Sequence, residues 1–471
     1  MKQKISIKKL VLVLLVGLFA NVFAQTIVMD NPVKLDSETS VTIEAVLFDE
    51  IKTGDLIYIT YKNAKADEQK LTISSGKGVA FKYGVIKGAD SDRKGTYFPE
   101  KKSGTLSYSV PAREISLLKK EGLILSGEGL KITKVSFAPP PTPKVNPKKA
   151  KTPNIKVAAN PKPVFEEGTP FAQHGTLKVD GAYLYDKNNN KYQLYGMSTH
   201  GLAWYPQYVN KESLKTLRDD WNTNCFRIAM YPRENGGYCA GGDKERLKNL
   251  VFKGIDAATE LGMYVIVDWH VLNYNPNDLL DEAMLFLSEV SQKYAKYDNV
   301  IYELCNEPTG SPWDTAIKPY AENLIPMIRK NAPNSLIIVG TNTWSQELEG
   351  PLANPLKYKN VMYAFHFYAD THKQSFRDKV EMVITEGLPV FITEFGTCNS
   401  SGNGGFNVNQ TNEWLDLIKE YNICHMNWSL ANKAETASVI LPDCTKTSDW
   451  SYSELTESGK LIYDHFNTLN K

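Results

Sequence analysis

Two glutamates stand directly after apolar runs of the sequence, where they could act as an acid and a nucleophile. Glu307 follows the run over residues 300–304, and Glu394 follows the run over residues 389–393. Burying an unpaired carboxylate is costly, so each of them needs a partner or a chemical role. Pairing with Arg227, or a place at the start of a following helix, would account for one of them. We expect the two together to form a working pair of carboxyl groups.

Histidine, aromatic and amide side chains stand at the ends of the other apolar runs. These residues, together with an arginine inside one run, are His200, Trp204, Arg227, Tyr231, His270, Asn306, Trp344, His366, Tyr368 and Trp428. Pyranose rings pack well on aromatic side chains, because their C–H groups suit a flat apolar face. Two carboxyl groups in an aromatic pocket of sugar size are suited to breaking a glycosidic bond.

Eight apolar runs alternate with helix-length amphipathic stretches and must position these side chains. The runs cover residues 194–197, 225–231, 264–268, 300–304, 336–340, 361–365, 389–393 and 425–428. Helices are predicted over residues 213–221, 247–261, 281–297, 317–331, 374–386 and 409–421. The alternation predicts a closed (β/α)8 TIM barrel, in which the carboxyl ends of all strands meet at one face. An open doubly wound sheet would use the same strands, but no Gly-rich phosphate loop follows any of them.

A different pattern precedes the barrel. Residues 26–137 contain short alternating runs separated by Gly, Asp and Lys, which predict a small all-β sandwich with one short helix over residues 112–121. Residues 138–164 are rich in Pro and Lys and predict a semi-rigid linker. The barrel domain is therefore expected over residues 165–471.

The start of the chain reads as an export signal. A basic start is followed by an apolar run over residues 10–20 and by a small-residue site that ends at Ala24. The run is shorter than the ~18–20 apolar residues that a membrane-spanning helix needs. We expect residues 1–24 to be removed and the protein to be secreted, to the periplasm or to the outside of the cell, with no membrane span.

Composition excludes several other classes of protein. Lys+Arg number 54 and Asp+Glu 53, so overall charge gives no reason to expect nucleic acid as a partner. The cysteines and histidines lack the spacing of a metal site, so we expect no bound metal. We also expect no cofactor, and we expect the protein to be a monomer. Of the six cysteines, Cys398 and Cys444 are the pair that we expect to be bridged in an exported protein.

The order of motifs resembles glycoside hydrolase family 5, of the bacterial endo-β-1,4-glucanase (cellulase) type. The resemblance is carried by Asn306-Glu307-Pro308 after the fourth run and by Glu394 within Ile-Thr-Glu-Phe-Gly on the seventh. It extends over roughly residues 165–470 and includes Lys433 and Glu435. It implies a retaining double displacement, with Glu307 as the general acid/base and Glu394 as the nucleophile.

Roles for the other residues follow on the same basis. Asn306 would bind the 2-hydroxyl of the sugar, and Trp428 would stack under the sugar that is cleaved. Arg227 and Tyr368 would lower the pKa of Glu394. The remaining contacts to sugar, or to the carboxylates, are expected from His200, Trp204, Tyr231, His270, Trp344, His366, Lys433 and Glu435.

Other functions remain open from the sequence. The same barrel could cleave mannan, xylan, xyloglucan or mixed-linkage glucan, and a pocket of this kind could also belong to a non-catalytic glycan-binding protein. The segment over residues 26–137 could bind carbohydrate, with Tyr61, Tyr83, Tyr97 and Tyr108 as stacking residues, or it could be a structural or docking domain.

Overall fold

The computed structural model describes residues 3–7, 26–51, 55–63, 69–82, 84, 86–92, 94–138 and 150–469. The chain divides into two compact units, Met1–Pro143 with Leu352–Asn354, and Lys144–Pro351 with Pro355–Lys471. In the described part of the chain, no helix is long and apolar enough to cross a membrane.

The first unit is built from two sheets. Its strands are β1 (Gln3–Ile7), β2 (Thr26–Met29), β3 (Val33–Leu35), β4 (Thr39–Ile43), β5 (Leu56–Asn63), β6 (Lys70–Ser75), β7 (Ile86–Lys87), β8 (Ala89–Ser91), β9 (Thr96–Pro99), β10 (Ser103–Ser109), β11 (Leu123–Glu128) and β12 (Leu130–Ala138). One sheet has the order β1-β4-β11-β6-β9-β8, and the other has the order β2-β12-β5-β10-β7, with β3 also paired to β12. Helix α1 (Ala112–Glu121) lies between β10 and β11 in the chain. These elements confirm the predicted all-β region.

Alternating side chains explain the core of this unit. Strand β5 buries Ile57, Ile59 and Tyr61 while the residues between them are partly exposed, as expected where one face of a sheet is covered. Apart from β1, the predicted export signal over residues 1–24 lies outside the described residues.

Three of the four tyrosines considered for stacking against sugar lie in the core of this unit. Tyr61, Tyr97 and Tyr108 are at most 2% exposed. The hydroxyl of Tyr97 donates to the Phe81 carbonyl oxygen at 2.7 Å, so this ring belongs to the core. The expectation that these three rings bind sugar is therefore wrong, because they fill the interior, and Tyr83 lies outside the described residues.

Part of the predicted linker is attached to the second unit. The backbone N–H of Ala150 donates to Asn323 Oδ1 at 3.1 Å, and that of Val157 donates to Gln292 Oε1 at 3.0 Å. The N–H of Asn160 donates to the Lys293 carbonyl oxygen at 2.8 Å. Residues 150–160 therefore pair with the barrel helices that carry these residues, and residues 139–149 lie outside the described part.

Eight parallel strands close into a barrel in the second unit, which confirms the predicted fold. A hairpin, β13 (Lys178–Asp180) and β14 (Tyr183–Tyr185), precedes the barrel in the chain. The barrel strands, in order around it, are β15 (Tyr195–Thr199), β16 (Cys225–Met230), β17 (Tyr264–Trp269), β18 (Val300–Glu303), β19 (Ile337–Val339), β20 (Val361–Tyr368), β21 (Val390–Gly396) and β22 (Cys424–Leu430).

The helices lie between these strands, as the amphipathic stretches predict. They are α2 (Pro170–His174), α3 (Lys211–Asp219), α4 (Lys244–Glu260), α5 (Leu280–Lys293), α6 (Lys318–Asn331), α7 (Asn342–Ser345), α8 (Glu349–Ala353), α9 (Gln374–Thr385), α10 (Val408–Glu420) and α11 (Glu457–Phe466). Side-chain caps start several of them: Asn210 accepts from the Ser213 N–H before α3, and Asp243 accepts from the Arg246 N–H before α4. Helices α2, α7, α8 and α11 were not predicted.

The cysteines do not form the expected bridge. All six are free in the structure. Cys398 packs in an apolar cluster with Ala229, Tyr231 and Trp428, whereas Cys444 lies in the loop where its carbonyl oxygen accepts from Asn432. The expectation of a Cys398–Cys444 bridge is therefore wrong, because each thiol is buried in its own surroundings.

Candidate active site

Alternation along the barrel strands separates an apolar interior from a polar mouth. On β17, Ile266 belongs to the apolar cluster inside the barrel, while Asp268 and then His270 follow it at intervals of two residues. On β20, Met362 belongs to the same cluster, and His366 lies four residues later. Side chains two residues apart share one face of a strand, so each strand carries its polar groups towards its carboxyl end.

A cleft of about 540 Å³ opens at this face of the barrel. Ten of the fourteen predicted site residues line it: His200, Trp204, Tyr231, His270, Glu307, Tyr368, Glu394, Trp428, Lys433 and Glu435. Arg227, Asn306 and His366 are not among the lining residues and are at most 1% exposed. The structure thus brings thirteen predicted residues to one place, as the hydrogen bonds described below show.

The two carboxylates meet in this cleft. One oxygen of Glu307, one nitrogen of His366 and one oxygen of Glu394 all lie within 4.8 Å of one another. Glu307 is 9% exposed and Glu394 is 4% exposed, so both can reach a bound ligand while remaining largely shielded from water. One oxygen of each carboxylate thus lies within 4.8 Å of the other, which is compatible with the spacing of about 5–5.5 Å between carboxyl groups where one of them attacks directly.

Arg227 binds the groups beneath the cleft. Its Nε donates to Glu303 Oε2 at 2.7 Å, and its Nη1 donates to Glu394 Oε2 at 3.2 Å. Its Nη2 donates to Asn306 Oδ1 at 2.6 Å and lies 2.9 Å from Asp268 Oδ2. A planar guanidinium with five donors is suited to such a cluster, because it can hold several acceptors in fixed directions.

Glu394 is held by two donors. Arg227 Nη1 donates to one oxygen, and the hydroxyl of Tyr368 donates to the other at 2.8 Å. Even so, burial raises the pKa of Glu394 above its ordinary value of 4.5, and the negative charge of Glu307 adds to this effect. The expectation of a lowered pKa is therefore wrong, because desolvation and a like charge outweigh the favourable effect of Arg227.

Glu307 holds a proton more readily than Glu394 does. Burial raises its pKa to about 8; Arg227 opposes the shift, and the negative charges of Asp268 and Glu303 add to it. Its Oε1 lies 2.9 Å from His366 Nδ1. With Arg227 and Tyr368 on Glu394 instead, the geometry favours the proton on Glu307 and the negative charge on Glu394.

The histidines of the site are uncharged near neutral pH. Burial lowers the pKa of His366 to about 4 and that of His200 to about 3. His270 Nδ1 lies 2.6 Å from Asp268 Oδ2, and Asn306 Nδ2 lies 3.2 Å from His270 Nε2. Neutral imidazoles of this kind can donate to, or accept from, hydroxyl groups without adding charge to the cleft.

Aromatic rings form one wall of the cleft. Trp428 packs against His200 and His270, with ring centroids 5.2 and 5.3 Å apart. Trp204 is 41% exposed and packs edge-on to Tyr231 at 5.0 Å. Both Trp204 and Trp428 line the cleft, where their rings are suited to stacking against sugar rings.

Trp344 is the one predicted site residue that neither lines the cleft nor bonds to the groups beneath it. It is 43% exposed, and its indole Nε1 donates to Asn273 Oδ1 at 2.6 Å. Thr343, Trp344 and Ser345 all have positive φ values near 55°, so the loop after β19 turns sharply at this point. A short loop of this shape could not be read from the sequence.

A pair of charged side chains, Lys433 and Glu435, also lines the cleft. Lys433 Nζ lies 2.5 Å from Glu435 Oε2, and Glu435 Oε1 lies 3.7 Å from His200 Nε2. These three side chains offer donors and acceptors of the kind that bind sugar hydroxyls.

Sequence reasoning missed the buried groups behind the cleft. Asp268, Glu303 and Thr393 are all 0% exposed and connect Arg227 and the histidines. A signal was present, because an acidic residue inside an apolar strand must have a partner when it is buried. The cleft-lining residues Tyr205, Leu272 and 400–402 were also missed, and they carry no comparable signal.

Comparisons with known proteins point to one family. The family model Cellulase (glycosyl hydrolase family 5) matches residues 185–434. An endoglucanase from Clostridium saccharobutylicum is 46% identical over 292 residues, which are 61% of this chain and 64% of that protein. Endoglucanase A from Butyrivibrio fibrisolvens is 41% identical over 300 residues, which are 63% of this chain and 70% of that protein.

A solved structure shows the same likeness. The catalytic domain of a Thermobifida fusca endoglucanase in complex with cellotetraose is 36% identical, with a TM-score of 0.61, and the match covers 64% of this chain and all of that one. The chain thus spans a little under two thirds of the Clostridium relative and the whole of a solved catalytic domain. The resemblance seen in the motifs is confirmed. Since the family model matches more than half of the chain, the protein belongs to glycosyl hydrolase family 5, the cellulase family.

Proposed function

We propose that this protein is an exported endo-β-1,4-glucanase that hydrolyses internal bonds of cellulose or a related β-glucan with retention of anomeric configuration. The observation that carries the proposal is the pair of carboxylates, Glu307 and Glu394, with oxygens within 4.8 Å and with different hydrogen-bond partners. Relatives named endoglucanase support the substrate class.

In the first step, the Glu394 carboxylate attacks the anomeric carbon. Glu307 gives its proton to the glycosidic oxygen as the bond from that oxygen to the anomeric carbon breaks. The products are a covalent glycosyl ester on Glu394 and a shortened glucan with a free hydroxyl. Arg227 and Tyr368 hold the Glu394 oxygens in place for the attack.

In the second step, Glu307 acts as a base. It takes a proton from a water molecule, whose oxygen attacks the anomeric carbon and releases Glu394 as a carboxylate. Esterification has removed the negative charge of Glu394, so Glu307 can remain ionised until the water arrives. Two inversions at one carbon give net retention.

A panel of polysaccharides tests the substrate class. We expect release of reducing sugar from carboxymethyl cellulose and barley β-glucan, with a rapid loss of viscosity because an endo-acting enzyme cuts in the interior of the chain. Preference for mannan, xylan or xyloglucan would replace the proposed substrate. Binding to glucan with no release of sugar would support a non-catalytic glycan-binding protein instead.

Proton NMR of the first product tests the stereochemistry. We expect the β-anomer before mutarotation, because double displacement restores the original configuration. Early appearance of the α-anomer would show direct displacement by water and would overturn the covalent role of Glu394.

Export and the first unit carry two further proposals. We propose that cleavage after Ala24 leaves Gln25 as the first residue, which N-terminal sequencing of the secreted protein tests. We also propose that the unit over residues 26–137 keeps the barrel near an insoluble polymer. Retention of that segment on cellulose or xylan supports this role, and no retention on either would favour a structural or docking domain.

A further inference from the structure

We propose that Thr393 and Glu303 are positioning residues that fix the tautomer of His366, so that His366 presents an unprotonated Nδ1 to Glu307. The proposal rests on the acid/base role of Glu307 proposed above. It extends that role to two buried residues that face away from the ligand cleft.

A continuous set of hydrogen bonds carries the inference. His366 Nε2 lies 2.8 Å from Thr393 Oγ1, and the Thr393 hydroxyl donates to Glu303 Oε1 at 2.7 Å. The second oxygen of Glu303 accepts from Arg227 Nε at 2.7 Å. Thr393 and Glu303 are both 0% exposed, so no water competes for these bonds.

The direction of each bond follows from the number of available protons. Burial raises the pKa of Glu303, whereas the charge of Arg227 and its hydrogen bond to one oxygen favour the ionised form. As a carboxylate, Glu303 can only accept on its other oxygen, so the single Thr393 hydroxyl proton points to it. The Thr393 oxygen then offers a lone pair to His366, and Nε2 of His366 must carry the proton.

The other nitrogen of His366 is therefore an acceptor. Burial lowers the pKa of His366 to about 4, so the ring holds one proton near neutral pH, and that proton is on Nε2. Nδ1 faces Glu307 Oε1 at 2.9 Å with a lone pair. This contact is a hydrogen bond only when Glu307 is protonated, and it becomes a repulsion between two acceptors when Glu307 is ionised.

The consequence is a Glu307 that keeps its proton until the leaving oxygen takes it. Other charged or titratable groups also face this site from the neighbouring strands: Arg227 on β16 and Tyr231 after it, Asp268 on β17 and His270 after it, Glu303 on β18, Tyr368 on β20 and Glu394 on β21. Of these groups only Glu303 is bonded to Thr393, so the tautomer of His366 in Thr393→Val is read by nitrogen-15 NMR beside the pH profile, which separates an effect of the tautomer from one of Glu303.

Replacement of the hydroxyl tests the proposal. Thr393→Val keeps the shape and removes the acceptor at Nε2, so His366 can move its proton to Nδ1 and donate to an ionised Glu307. We expect the alkaline limb of kcat/KM on a soluble glucan to shift to lower pH by about one unit, an effect typical of a changed hydrogen bond to a carboxylate. Thr393→Ser restores the hydroxyl and should restore the wild-type limb.

A matched control separates this effect from a loss of packing. Thr411 in α10 is also 0% exposed, and its hydroxyl donates to a backbone carbonyl away from the cleft. Thr411→Val should leave the alkaline limb unchanged. The proposal would be overturned if the alkaline limb of kcat/KM in Thr393→Val stayed at the wild-type pH, or if the limb in Thr411→Val shifted by the same amount.

The intact protein provides a second readout that needs no variant. Nitrogen-15 NMR of labelled histidine should show His366 protonated at Nε2 and unprotonated at Nδ1 near neutral pH, and the reverse tautomer would overturn the proposal. Glu307→Ala separates this result from the proposed function. Full activity of that variant would show that Glu307 is not the acid. If Glu307→Ala is impaired but Thr393→Val keeps the wild-type alkaline limb of kcat/KM, only the positioning role of Thr393 and Glu303 is overturned.

Discussion

Arg227 Nη1 lies 3.2 Å from Glu394 Oε2, and the same guanidinium holds Glu303 through Nε. One cation thus bonds directly to the proposed nucleophile, whereas its hydrogen-bond connection to the proposed acid runs through Glu303, Thr393 and His366. The two glutamates of one barrel consequently have different hydrogen-bond partners, and different roles follow from this difference.

Removal of the nucleophile should abolish hydrolysis and expose the covalent step. We expect the kcat of Glu394→Ala on an activated aryl β-cellobioside to fall roughly 10⁴-fold or more, as is usual for loss of a nucleophile. Azide should restore turnover by filling the space of the carboxylate, and the product should be the α-glycosyl azide because only one inversion takes place. Wild-type hydrolysis by Glu394→Ala, or a β-azide product, would contradict this role.

Glu420 provides the matched control for that change. It is an exposed glutamate at the end of α10, outside the cleft. Glu420→Ala should retain wild-type kcat and melting temperature, which shows that the loss in Glu394→Ala comes from the site.

Removal of the acid should depend on the leaving group. We expect Glu307→Ala to slow cleavage of cellulose oligomers by roughly 10²–10⁴-fold, the usual size of general acid catalysis. An aryl glycoside with an acidic phenol needs little protonation, so its first step should be almost unaffected, and the covalent intermediate should accumulate as a burst. Equal losses on both substrates would argue against proton donation by Glu307.

The dependence of activity on pH follows from the two raised pKa values. Glu394 must be ionised, so kcat/KM should rise with pH through a value above 4.5. Glu307 must be protonated, and its pKa of about 8 predicts a fall in kcat/KM as pH rises through about 8. The two limbs belong to the coupled pair. A profile that is flat between about pH 6 and about pH 10 would contradict the raised pKa of Glu307.

The same carboxyl group should make stability depend on pH. The pKa of Glu307 is higher in the folded protein than its ordinary value of 4.5, so the folded state loses stability as pH rises from about 4.5 through about 8. Glu307→Gln removes this group, and its melting temperature should exceed that of the wild type by a margin that grows over this range. Scanning calorimetry at several pH values measures the margin, with Glu420→Gln as the control. A margin that does not change with pH would contradict the prediction.

Strand periodicity explains why so much of the fold could be predicted. Each of the eight barrel strands corresponds to an apolar run of four to seven residues. These runs and their polar ends gave eleven of the thirteen predicted residues at the site, and the family resemblance added Lys433 and Glu435. Periodicity places a side chain on a face and near an end of the sheet. It does not say how a loop turns, and so the place of Trp344 outside the cleft was not predicted.

Energetic balances were harder to predict than positions. The partners of Glu394 were expected correctly as Arg227 and Tyr368, yet its pKa is raised because burial and Glu307 act in the opposite direction. The tyrosines of the first unit show the same difficulty, because an alternating pattern does not reveal which face of a sandwich is covered. Tyr61 and Tyr108 lie in the core for that reason.

The cleft has a floor made by strands and a rim made by loops. Arg227, Glu303 and Thr393 belong to strands in the barrel wall, whereas Lys433 and Glu435 lie in the loop after β22. Changes in the rim can therefore retarget the enzyme to another polymer while the machinery that breaks the bond stays intact. For protein engineering, exchange of the rim loops is the change that we expect to alter glycan preference, while the residues of the barrel wall are kept.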